Sequence, residues 1–211
     1  VIDSLTGTTG DDSLAITCND WAGYNDTCGD ITDVTIGTVA ATSTNGALLK
    51  AISGDGCTLH VLKVTGQVTG QGNTTAVIVG DDTSSANTTG GSYGHVDLGT
   101  VRASASSSVI NLGNAAAKVI RLKVKHDSAQ TFADVVRLNQ TTTATLGTLI
   151  VDASEFNPGG TWNGQAVLVN AAGLTIEHLI VQNSRLRTGT TPSLVSVSAG
   201  TVNEIDLVNC R

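Results

Sequence analysis

Leu146–Val151 reads LGTLIV and Ile176–Val181 reads IEHLIV; both carry an apolar triplet, Φ-x-x-Φ-x-Φ. The same pattern occurs at Ile31/Val34/Ile36, Leu59/Leu62/Val64, Tyr93/Val96/Leu98, Ala117/Ile120/Leu122 and Val202/Ile205/Leu207. The middle members, Val34, Leu62, Val96, Ile120, Leu149, Leu179 and Ile205, are 28, 34, 24, 29, 30 and 26 residues apart. A period this long around a short β-type core marks a solenoid.

A second apolar series interleaves with the triplets: Leu14/Ile16, Leu49/Ala51, Ile78, Ile110/Leu112, Val136/Leu138, Leu168 and Val195/Val197. Each coil therefore carries at least two short strands, rich in Val, Ile, Leu and Thr and separated by polar, Gly-rich turns. Strands of about four to six residues stacking in parallel, roughly 4.8 Å apart, make a parallel β-helix. Parallel crossovers are overwhelmingly right-handed, which sets the expected hand. The expectation is an all-β chain: one right-handed parallel β-helix domain over residues 1–211, of about seven coils.

The composition fits. Of 211 residues, 24 are Gly, two are Pro and 14% are charged. Only six are aromatic, so a core built from 40% hydrophobic residues is mainly aliphatic. The formal net charge of -7, with Lys and Arg scattered, argues against nucleic acid as a partner. No apolar run approaches the roughly 18 residues of a membrane-spanning helix, so no membrane insertion is expected. The chain starts at Val1, contains no Met, and ends four residues after its last triplet without a polar cap; it reads as a piece of a longer protein.

Two turns are long. Residues 17–30, TCNDWAGYNDTCGD, and 80–94, GDDTSSANTTGGSYG, occupy the same turn of the coil and are expected to project from one edge. They carry Asp20, Trp21, Tyr24, Asp26, Asp81, Asp82 and Tyr93, with His95 just after; Tyr93 also fills a triplet slot. Flat rings beside carboxylates suit a sugar surface, offering faces for pyranose rings and acceptors for hydroxyls. The plainer reading is that these rings anchor their own loops. Cys18 and Cys28 flank one loop, a spacing compatible with a disulfide or with reduced thiols, whereas Cys57 and Cys210 fall about five coils, roughly 25 Å, apart, too far to bridge. His60, His95, His126 and His178 sit in different coils with no metal-ligand spacing, so no metal or cofactor is expected.

Outward positions stack as well. The residue between the last two triplet members is Thr35, Lys63, Asp97, Arg121, Ile150, Ile180 and Asp206 in successive coils. Lys63, Asp97 and Arg121 form an expected charge ladder, and Lys123 is expected to meet Asp152. Ile150 and Ile180 face outward, toward a partner subunit or beneath a loop.

The triplets continuing into VQNS (Val181–Ser184) and LVNC (Leu207–Cys210) resemble the strand-and-Asn-turn pattern of the pectin-lyase-like superfamily of right-handed β-helices. The stretch TGDDSLAIT (Thr9–Thr17) is similar to the Gly-Asp-Asp strand of polygalacturonase-type hydrolases and of phage tailspike β-helix domains. With the Trp- and Asp-bearing loop and GDITDVTI (Gly29–Ile36) after it, it is closest to the tail-associated proteins. The resemblance implies a tailspike or tail-fibre fragment, virion-borne or extracellular and homotrimeric, that binds bacterial surface polysaccharide. In a depolymerase of this kind Asp11 and Asp12 would be the catalytic carboxylates. A secreted, monomeric polysaccharide hydrolase or lyase and a structural or adhesive solenoid without chemistry are the alternatives.

Overall fold

The computed structural model describes residues 1–18, 29–54, 56–80, 91–113, 115–126, 134–139, 143–156, 165–184 and 193–210. Among them lie fourteen strands and no helix: β1 (Ile2–Thr9), β2 (Leu14–Cys18), β3 (Ile31–Ser43), β4 (Leu49–Ser53), β5 (Thr58–Val64), β6 (Gln67–Gln71), β7 (Thr75–Val79), β8 (Gly91–Ser104), β9 (Ser108–Leu112), β10 (Ala115–His126), β11 (Asp134–Leu138), β12 (Ala144–Phe156), β13 (Gln165–Gln182) and β14 (Ser193–Val208). They join into one sheet in which every strand pairing is parallel. The arrangement is all-β and consistent with a β-solenoid. Among the described residues no helix is long and apolar enough to cross a membrane.

The triplets set one row of strands. Val34 pairs with Leu62, Leu62 with Val96, Val96 with Ile120, Ile120 with Leu149, Leu149 with Leu179, and Leu179 with Ile205. From Leu62 to Leu179 these side chains are buried, forming an aliphatic column. The outward column is equally regular, with Thr35, Lys63, Asp97, Arg121, Ile150, Ile180 and Asp206 aligned one per strand. Lys123 lies opposite Asp152.

The second series makes another row from β2, β4, β7, β9, β11 and the first halves of β13 and β14. One column is Leu14, Leu49, Val77, Ile110, Val136, Val167 and Val195. Ile78 and Leu168, expected to point inward, are one residue out of phase. Ile78 aligns with Lys50 and Asn111, and Leu168 with Arg137, all on the opposite face of the pleat. In a strand, a shift of one residue exchanges the two faces.

A third row joins β1, the second half of β3, β6 and the second half of β8. Its inner column is Leu5, Val39, Val68 and Val101, continued by Val124 of β10. The triplet strands exceed the expected four to six residues because several run on into this row; β3 has 13 residues and β8 has 14. Gly99 sits at such a corner with φ +57°, a left-handed conformation that costs residues with a Cβ.

The long turns are shorter than expected at their ends. Thr17 and Cys18 belong to β2, and residues 91–94 belong to β8. Cys18 points inward beside Ser53, its register partner, and carries a free thiol 3.4 Å from Ser53 Oγ. A Cys18–Cys28 bridge is therefore not formed. Cys57 is disulfide-bonded, to a partner outside the described residues, and Cys210 is free.

Asn183 and Asn209 end β13 and β14 in matching turns. Both adopt left-handed backbone, with φ 61° and 54°. Asn209 Nδ2 donates to Asn183 Oδ1 at 3.2 Å.

Candidate functional site

The outward face of the second row bears a groove of about 320 Å³. Its floor is one register column, Lys50, Ile78, Asn111 and Arg137, one residue from each of β4, β7, β9 and β11. Three inter-strand steps give the floor a length of roughly 14 Å. Asp11 and Asp12 line one end.

Both ends are held in place by charge. Asp12 Oδ1 accepts the N–H of Ala47 at 2.7 Å, and Oδ2 lies 3.4 Å from Lys50 Nζ. Asp11 caps the same turn: its Oδ1 accepts the N–H of Asp12, and its carbonyl accepts the hydroxyls of Thr9 and Ser43. Gly46 completes this turn, because a Cβ there would lie 2.5 Å from Asp12 Oδ1. At the far end Arg137 donates from Nε and Nη2 to the buried Asp134 carboxylate at 3.1 and 2.7 Å. Its Nη1 donates to Ser107 Oγ at 2.7 Å. Asp134 also accepts the N–H of Gln165. Between the two charged ends, Asn111 Oδ1 is buried without a hydrogen-bond partner among the described residues. A buried acceptor left unpaired is unfavourable.

The sequence-derived residues separate. Asp11 and Asp12 stand together at the groove. Tyr93 is 2% exposed, inside the core, so its ring is out of reach of a surface ligand. Its hydroxyl accepts the N–H of Ser53 and contacts the Ala51 carbonyl. His95 is exposed on the triplet row, in a shallow hollow of about 340 Å³ with Lys63, Asp97, Arg121 and Ile150, apart from the groove. Asp20, Trp21, Tyr24, Asp26, Asp81 and Asp82 lie outside the described residues. Lys50, Asn111 and Arg137 were not singled out from the sequence. Their signal was available as the residues alternating with the second apolar series.

Two further clusters use histidine. Asp30, at the end of the first long turn, accepts the N–H of Thr58 at 2.8 Å, and its Oδ2 lies 3.0 Å from His60 Nε2. The hydrogen bond with His60, then that from Thr58, holds the Asp30 carboxyl below the usual carboxylate range. On the last two strands the donor atoms of His178, Glu204 and Asp206 lie within 4.8 Å of one another. Comparison with protein-family models, with curated proteins and with solved structures finds no match for this chain.

Proposed function

We propose that the chain is a right-handed parallel β-helix of about seven coils, of the pectin-lyase-like kind, and that it binds bacterial surface polysaccharide in the groove above Asn111. A tailspike or tail-fibre module, virion-borne and trimeric, is the reading that joins this groove to the Gly-Asp-Asp turn at its end. The observation that carries the proposal is the groove itself, a floor of Lys50, Ile78, Asn111 and Arg137 in one register column whose two charged ends are already fixed. Polar side chains along the groove offer partners to sugar hydroxyls, and a preorganised rim lowers the ordering cost of binding. Outward Ile150 and Ile180, in register on β12 and β13, suit a subunit contact.

Binding is favoured over hydrolysis by the state of the acids. Hydrolysis with inversion needs two carboxyl groups about 6.5–9.5 Å apart, one to protonate the leaving oxygen and one to activate water. Both oxygens of Asp12 are engaged, by Ala47 and Lys50, and one of Asp11's accepts the Asp12 N–H.

The test is a glycan array of bacterial surface polysaccharides probed with the chain and with Asn111→Leu. Binding by the native chain that is lost in a variant of unchanged circular dichroism supports the proposal. No bound glycan, or equal binding by the variant, overturns it. Oligosaccharide release that disappears in Asp12→Asn would move the function to a depolymerase, and a monomeric mass in solution would favour a secreted hydrolase.

A further inference from the structure

The cluster on β13 and β14 lies on the triplet row, apart from the groove. Register puts His178 directly opposite Glu204, and Ile180 opposite Asp206. Neighbouring parallel strands lie about 4.8 Å apart, and residues two apart on a strand share a face. An imidazole and two carboxylates thus meet on one exposed patch, although His178 and Glu204 are a full coil apart in sequence. His178 Nε2 lies 2.9 Å from Asp206 Oδ2, so an ion pair accounts for these two. It leaves Glu204 unexplained. Among the described residues Glu204 has no hydrogen bond or ion pair, yet its carboxylate converges on a second carboxylate. Two like charges gathered around one imidazole are stabilised by a cation between them.

We propose that His178, Glu204 and Asp206 form a binding site for one divalent first-row transition ion of the zinc type, bridging β13 and β14. One nitrogen and two carboxylate oxygens make a zinc-type donor set. Calcium and magnesium prefer all-oxygen shells, and the imidazole disfavours them. Three protein ligands leave at least one position for water or a ligand atom. Because the ligands come from two strands, the ion also ties β14 to β13 and stabilises the folded state by mass action.

The test is isothermal titration of the 211-residue chain with zinc chloride, with thermal melts alongside. The expected result is one saturable event that raises the melting temperature. His178→Ala, Glu204→Gln and Asp206→Asn should each weaken it by at least about tenfold. His60→Ala, which removes the other exposed His–Asp pair, should leave it unchanged. Calcium chloride should show no comparable binding. Absence of saturable zinc binding, or zinc binding that survives all three substitutions, overturns the proposal. Calcium binding as tight as zinc binding overturns it too, because an acidic patch alone would then suffice.

Discussion

The Tyr93 hydroxyl accepts the backbone N–H of Ser53 at 2.6 Å, linking β8 to the end of β4 through the interior. Ser53 is itself buried, and its hydroxyl donates to the Cys57 carbonyl at 2.7 Å. Tyr93→Phe keeps the ring but strands that N–H, so it should destabilise the chain by about 1–3 kcal/mol. Urea denaturation checks this. Glycan binding should be unaffected, whereas a Tyr93 that touched substrate would lose affinity without losing stability.

The Asn183–Asn209 pair predicts an ordering of substitutions. Asn209→Ala loses the 3.2 Å side-chain bond and leaves a Cβ residue at positive φ without local compensation. The combined cost should be about 1–3 kcal/mol. Asn209→Gly loses the bond but tolerates the backbone, so it should cost less. Equal midpoints in thermal denaturation would remove the left-handed turn from the account.

Asp30 supplies a pH signature. Its lowered carboxyl means that its contribution to stability is complete above the ordinary carboxylate value, about 3.9, and is lost as pH falls through the lowered one. In His60→Ala the Asp30 titration, followed by carboxyl carbon NMR, should move up toward the ordinary value. An unmoved midpoint would assign the shift to the Thr58 N–H alone.

Gly46→Ala should disturb the groove from its Asp12 end. The added carbon meets the Asp12 N and Oδ1, so the turn must move and take the Asp12–Lys50 contact with it. The expected result is weaker glycan binding together with a stability loss of about 1–3 kcal/mol from the overpacked turn. Unchanged binding at reduced stability would mean that Asp12 does not shape the site.

Leu149→Ala and Ile205→Ala compare two members of one column. Leu149 is fully buried and should cost about 2–5 kcal/mol. Ile205 is 43% exposed and should cost clearly less. Equal losses in urea midpoints would show that Ile205 is buried in solution.

Much of this architecture could be read from spacing. The triplet alternates apolar and polar residues strongly enough to fix its register, and the outward ladder through Lys63, Asp97 and Arg121 follows from it. The third row was not legible because β6 carries one apolar residue, Val68, among QVTGQ. Ile78 was misphased because Ala76–Val79 are buried on both faces, which leaves alternation no contrast. The groove depended on that phase: only once Ile78 points outward do Lys50, Asn111 and Arg137 share a floor. The His178 cluster was hidden for a related reason. Its members are neighbours through the winding of the chain, and a scan for local ligand spacing does not see them.

The residue columns also mean that contacts are almost entirely between adjacent rungs. Mechanically the molecule is a zipper, since each rung is supported by the one above and the one below. A defect in the middle severs two half-ladders. Loss of structure should therefore travel as a front, and hydrogen exchange should rank the strands by their distance from it.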